Sequence, residues 1–507
     1  MRKTKFICII SLMLALLTLL TSCNAADSPT SVTTDGAKEI TTDATEPEAP
    51  TGPLELVKDH KSEYVIVYGE SSSSDAKSCA TLLSNKLRAI AGVSVGTSAD
   101  STEASDKEIV VGVTNREGCN DTASLGKNGW SVSALGDRVV ILGGSDAALR
   151  YAVTYFIYQY VKDGDILLDR TLNYVHKAED TVMRLSKNAD KVKAYGRHSV
   201  TSSGITADWS ASGIEFNAEC CGDISITVSS TKKTYFAAYV NGERVDELFL
   251  ANEGSTTFKV AEGLDYGAYN IRLLKCANVV QANCIVESVK LDGALLEAPK
   301  DNKLLIEFIG DSITCGYGVI DGATSDSANV GTYKYCDATS AFPYLTAEKL
   351  GADWRIEGVS GAGMCKGYTT YTVPEIFYTH TWTRNKTKQY DFASERTPDV
   401  IVINLGTNDQ SKSSDPEAFK TAVKTFVTTI REKYGKDVPI VWAYGMMNDT
   451  MSTHVKAAFT ALGGEASGYY TVKLTQNKKG GNGHPNAEGQ IKAAEELTKY
   501  LKENVLK

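Results

Sequence analysis

Hydrophobic and polar positions follow three different rhythms along the chain. Between residues 54 and 176, three short β-branched runs, YVIVYG, KEIVVGV and RVVILGG, read as strands. Between and after them, SDAKSCATLLSNKLRAIAG and SDAALRYAVTYFIYQYV have helical spacing, with Ser145 or Asp146 placed to cap the second helix. This stretch predicts a small α/β unit.

From 180 to 298 the rhythm changes to two. GIEFNAE, DISITVSS, TYFAAYVNGERV, STTFKVAEG and AYNIRLLKC alternate apolar and polar residues, and Asn241-Gly242 is a two-residue hairpin signal. Short strands at this spacing predict a β-sandwich of jelly-roll-like kind.

From 300 to 507, strands and helices alternate. LLIEFIG, WRIEGVS, DVIVINLG, PIVWAYG and YYTVKL are mostly apolar, as strands buried on both faces are. Asp415, Pro416 and Gly435 mark the ends of a helix with Phe419, Val423, Phe426 and Ile430 on one face. The last helix shows Ile491, Ala494, Leu497 and Leu501 at similar spacing. The expected fold is multidomain: a C-terminal α/β three-layer domain with a parallel sheet, preceded by the sandwich and the small α/β unit.

The N-terminus has another character. Arg2, Lys3 and Lys5 precede the apolar run FICIISLMLALLTLL, which is short for a membrane span. A basic start, an apolar core and Leu-Thr-Ser before Cys23 read as an export signal over residues 1–23. That end resembles a bacterial lipobox, which implies lipidation of Cys23 and tethering to the cell membrane on its outer side. Residues 24–53 are rich in Thr, Ser, Ala, Pro and acids and predict a disordered spacer.

The formal charge of −9 and the lack of a basic block argue against a nucleic-acid partner. Eleven cysteines are encoded, and nine remain once Cys8 and Cys23 are set aside. Cys276 and Cys284 are one candidate pair among several. No Cys or His spacing suggests a zinc site.

The chemistry gathers in the last unit. Ser312 follows the first strand, Gly361 the second and Asn408 the third, and His484 precedes the final helix. In a parallel sheet these turns share one edge, where sites form. A serine needs a base, and histidine titrates near neutrality. The Ser312 and Gly361 N–H groups and the Asn408 amide are candidate oxyanion donors. Ser360 is a weaker nucleophile candidate, because Ala362 breaks the Gly-x-Ser-x-Gly pattern.

GDSIT, GVSGAG, GTND and GHPN resemble, in order, the four blocks of SGNH (GDSL-like) hydrolases. With the sandwich in front, the chain is similar to carbohydrate esterase family two, which deacetylates plant polysaccharides such as xylan and glucomannan. The resemblance implies Ser312 as nucleophile, His484 as base, an oxyanion hole of Ser312, Gly361 and Asn408, and no metal or organic cofactor. The segment before the sandwich resembles accessory domains of some glycoside hydrolases.

One position departs from the pattern. Most SGNH enzymes carry an aspartate two or three residues before the histidine, where this chain has Asn482 and Gly481. A Ser-His dyad is therefore expected, with Asn482 or a backbone carbonyl of GGNG orienting the imidazole. Trp382, Tyr317 and Tyr368 are the candidate aromatic contacts to an acetylated polysaccharide or oligosaccharide. The alternatives are another SGNH acyl hydrolase (lipase, thioesterase or arylesterase) or a non-catalytic carbohydrate-binding lipoprotein.

Overall fold

The C-terminal part holds five strands, Leu304–Gly310, Ala352–Gly358, Val400–Asn404, Ile440–Tyr444 and Tyr469–Lys473, the first four buried along almost their whole length and the last only partly. In this computed structural model, which describes residues 52–320, 333–381, 384–435 and 437–507, they pair in parallel. The spatial order is second, first, third, fourth, fifth. Export signal, Cys23 and nearly all of the spacer lie outside the described residues, as does Trp382. Among the described residues, no helix is long and apolar enough to cross a membrane.

Alternate side chains of each strand go to opposite faces, so both faces must be covered. Helices Phe342–Leu350 and Ala487–Asn504 pack on Ile306, Phe308, Trp354 and Val402. Helices Pro416–Tyr434 and Ser452–Ala461 pack on Ile309, Ile401, Ile403 and Trp442. Asp415 caps the Pro416 helix by accepting the Ala418 N–H, and Gly435 ends it. In the last helix Ala494, Leu497 and Leu501 face inward as expected, but Ile491 is 47% exposed, and Gln490 and Ala493 complete the buried face. The Gln490 amide binds the Phe342 N–H at 2.8 Å and the Ile313 carbonyl at 3.1 Å, which fixes the helix phase.

Residues 180–295 build an antiparallel ladder of ten strands rather than two separately bonded sheets. Its longest members, Gly213–Ser230 and Gly254–Lys275, pair along their length with register shifts between Cys220 and Ser225. Such bulges bend a strand and raise its twist. Apolar side chains before and after them, Phe216 and Ile226 among others, share one core. Asn241 and Gly242 both take positive φ, 52° and 83°, in the tight turn after Thr234–Val240. Cys276 and Cys284, the candidate pair, form no disulfide with each other.

Residues 54–176 form a six-stranded mixed sheet with helices Ser74–Ala91 and Asp146–Tyr160 packed in its core cluster. Ser145 is the N-cap of the second helix. Trp130–Leu135 and Asn173–His176 add two antiparallel strands. Polar residues interrupt the first and bound the second, and neither leaves a long apolar run in the sequence.

The ladder and the parallel sheet are joined by a buried charge cluster. Arg197, fully buried, donates to Glu307 Oε1 at 2.9 Å and to the carbonyls of Phe377 and Thr379. Its guanidinium lies 4.2 Å from the Tyr390 ring centroid, and Glu357 is 3.4 Å away. Burial pushes the Glu357 carboxyl well above the usual range, and Arg197 opposes that shift. Beside it, Tyr195 stacks on Trp354 at 4.0 Å, and the Trp354 indole donates to the Ala211 carbonyl at 2.9 Å. Removing one partner of such a cluster leaves buried charge uncompensated. Arg197→Ala should cost about 3–5 kcal/mol in global stability by denaturant unfolding.

Candidate active site

The Ser312 turn begins where the first parallel strand ends at Gly310. Asp311 is fully buried, and its Oδ1 accepts the Ile313 N–H at 3.0 Å. The Ser312 carbonyl accepts the Tyr317 N–H at 3.0 Å. These bonds hold the serine side chain at the carboxyl edge of the sheet.

His484 reaches it from the other end of the domain. Its Nε2 lies 2.8 Å from Ser312 Oγ. Its Nδ1 faces two backbone carbonyls, Gly481 at 3.1 Å and Asn482 at 3.3 Å. Carbonyls only accept, so Nδ1 carries the proton and Nε2 offers its lone pair to the hydroxyl. No carboxylate contributes to the electrostatic surroundings of this ring among the described residues. Main-chain dipoles stand where a triad would have an aspartate.

The loop that holds the ring is set by backbone contact. Gly481 N–H donates to the Gly318 carbonyl at 3.0 Å, and Gly480 N–H to the His484 carbonyl at 2.8 Å. A Cβ on Gly480 would lie 2.5 Å from the Gly318 carbonyl oxygen, closer than real Cβ contacts come. Asn482 sits in the left-handed region at φ 53°, which asparagine tolerates better than most residues. The Tyr317 ring lies 4.4 Å from the imidazole and is only 8% exposed. It is a wall behind His484 with little free face.

On the opposite side, Gly361 has φ 82° and follows the second strand. Neither its N–H nor that of Ser312 donates to a protein acceptor among the described residues. Asp409 shapes this loop. Its carboxylate accepts the N–H groups of Met364, Cys365 and Lys366 at 2.7–3.0 Å and the Ser414 hydroxyl at 3.1 Å. Asn408 differs from the expectation of a free donor. Its Nδ2 donates to the Ala362 carbonyl at 2.8 Å and to Asp311 Oδ2 at 3.2 Å. An oxyanion has to displace the longer of these two bonds. Burial, aided by the charge of Asp409, pushes the Asp311 carboxyl up to about 7, against the pull of the Ile313 N–H.

Tyr368 follows the Gly361 turn and is 66% exposed, while Ser360 is partly exposed beside it. The carbonyls of the GGNG segment are the expected orienters, but neither Gly318 nor Gln490 carries a signal in the sequence beyond the glycine of Gly316-Tyr317-Gly318.

Residues 308–490 match the GDSL-like Lipase/Acylhydrolase family. The chain thus carries a GDSL-like lipase/acylhydrolase domain. It is 31% identical over 310 residues to the Cellulase/esterase CelE of Acetivibrio thermocellus, covering 58% of this chain and 37% of that protein. It is 37% identical over 128 residues to the acetylxylan esterase / glucomannan deacetylase of Cellvibrio japonicus, covering 25% of this chain and 35% of that protein. The chain spans little more than a third of the length of these curated relatives. A family two carbohydrate esterase from Clostridium thermocellum, solved with cellohexaose, superposes with TM-score 0.55 and 28% identity over 62% of this chain and 98% of that one. The chain is homologous to these esterases.

Two outcomes follow from the loop geometry. Gly480→Ala should shift the His484 loop and lower kcat by about 10²-fold, with an unchanged far-UV spectrum. Burial lowers the His484 pKa below its ordinary 6.5, and the Gly481 and Asn482 carbonyls offset that only in part. The base form therefore persists into mild acid. In an acyl-transfer assay the acid limb of kcat/KM should fall with a midpoint below 6.5, the value ordinary for an unperturbed histidine.

Proposed function

We propose that the chain is a serine esterase that removes O-acetyl groups from plant cell-wall polysaccharides such as xylan and glucomannan. The observation that carries this reading is the 2.8 Å contact between Ser312 Oγ and an imidazole whose other nitrogen is committed to carbonyls. Ser312 Oγ attacks the acetyl carbonyl carbon as its proton passes to His484 Nε2. The negative oxygen that forms is met by the free N–H groups of Ser312 and Gly361, joined by Asn408 as its bond to Asp311 gives way. His484 returns the proton to the sugar oxygen, which leaves. Water, deprotonated by the same ring, then releases acetate and restores the serine.

Similarity to a protein named as a cellulase/esterase and to one named as an acetylxylan esterase / glucomannan deacetylase supports the reading. A lipase, thioesterase or arylesterase is the alternative within the same fold. A non-catalytic carbohydrate-binding lipoprotein is the alternative outside it. We also propose the division of the chain into a signal at 1–23, a spacer at 24–53, an accessory unit at 54–176, a jelly-roll-like sandwich at 180–298 and the hydrolase at 300–507. Its location, extracytoplasmic at the cell surface or the periplasmic face and tethered through a lipid on Cys23, is proposed from the N-terminal pattern alone. The catalytic steps call on no metal or organic cofactor.

Acetate release from acetylated xylan and glucomannan, set against long-chain nitrophenyl esters, tests this. Ser312→Ala and His484→Ala should each lose at least about 10³-fold in kcat, and Asn408→Ala about 10²-fold. Full turnover in Ser312→Ala would remove the mechanism.

A further inference from the structure

Two lysines stand beside the Gly361 turn in a chain whose formal charge is −9. The Tyr368 N–H donates to the Gly361 carbonyl at 2.7 Å, so its exposed ring stands beside the acyl site. Lys412 Nζ lies 3.8 Å from the centroid of that ring. Lys412 is one helical turn past Asn408, and its N–H donates to the Asn408 carbonyl at 3.0 Å. Lys366 belongs to the same loop as Tyr368. Its N–H is held by Asp409, and its Nζ reaches 3.5 Å from the Ser413 carbonyl.

Both ammonium groups are exposed, and neither forms an ion pair with a carboxylate among the described residues. Acids close to them in sequence are already engaged. Asp409 accepts four hydrogen bonds, Asp415 caps a helix through the Ala418 N–H at 2.8 Å, and Asp311 is fully buried. Both lysines are therefore held near the acyl site by backbone bonds while their ammonium groups form no ion pair among the described residues. The Tyr368 face turned away from Lys412 is open to the C–H face of a pyranose. Two ammonium groups beside that ring, neither in an ion pair among the described residues, attract an anion, and a carboxylate on the sugar chain meets that demand.

We propose that the site prefers acetyl esters on oligosaccharides that carry a uronic acid next to the acetylated sugar. Tyr368 lies under a sugar ring, and Lys412 and Lys366 bind the carboxylate. This rests on the esterase reading above and narrows its substrate class.

The test compares acetate release from acetylated xylo-oligosaccharides that are neutral with release from the same oligosaccharides bearing one glucuronic acid branch. The wild type should show a several-fold higher kcat/KM on the acidic substrate, carried by KM, since each exposed charge contact is worth about two- to fivefold. Raising NaCl to about 1 M should erase the preference. The Lys366→Ala/Lys412→Ala double variant should bring the acidic-to-neutral ratio close to one. Lys412→Glu should drive it below one, and Lys412→Arg should keep it. Equal kcat/KM on both substrates in the wild type, a ratio that ignores salt, or a ratio unchanged in the double variant would each overturn the proposal while leaving the esterase reading intact. Acetate release from neither substrate would overturn both.

Discussion

Two loops that meet backbone to backbone set the distance between Ser312 and His484. The Gly318 carbonyl receives the Gly481 N–H, and Gly480 leaves no side chain between them. The contact brings residues 172 positions apart within 2.8 Å. It also turns the Gly481 carbonyl toward Nδ1, so the same few atoms place the imidazole and choose its tautomer. A carboxylate in that role would add a full charge to stabilise the imidazolium. Carbonyl dipoles orient the ring with less electrostatic support, and burial favours its neutral form. The arrangement suits a base that is neutral at rest.

The opposite wall depends on Asp409. Three backbone N–H groups of one loop converge on its carboxylate, which makes the Gly361–Lys366 turn rigid without a regular element. That turn presents the Gly361 N–H inward and Tyr368 and Lys366 outward. A buried acid thus ties the reacting side of the loop to its substrate-facing side. Asp311 holds the Ser312 turn in the same way and, through Asn408, links the first strand to the third. The two aspartates are scaffold, and the chemistry falls to the serine and the histidine.

Below the site, Arg197 makes the antiparallel ladder a part of the hydrolase. The arginine comes from the ladder, while Glu307 and Glu357 belong to the two strands that lead to Ser312 and Gly361. Buried ions of this kind tolerate neither separation nor hydration without loss. With Tyr195 on Trp354 and the Trp209 indole on the His380 carbonyl at 2.9 Å, they bind the two sheets as one body.

Hydrophobic period determined the elements: five apolar runs became the parallel sheet, and Asp415 to Gly435 bounded a helix as its caps dictate. Residue chemistry in turn marked Ser312, Gly361, Asn408 and His484 as partners, because a parallel sheet puts the ends of its strands on one edge. Tertiary structure decided what depends on distance between remote segments. It held Ala494, Leu497 and Leu501 inward but put Gln490 rather than Ile491 at the start of that face, where its amide bonds Phe342 and Ile313. It kept Cys276 and Cys284 apart, joined the ten strands of residues 180–295 into one bulged hydrogen-bonded ladder, and gave the orienting role to the Gly481 and Asn482 carbonyls. Local pattern records which face of an element is apolar. Which backbone atom meets a given imidazole is fixed only when the loops pack, and no residue type announces it in advance.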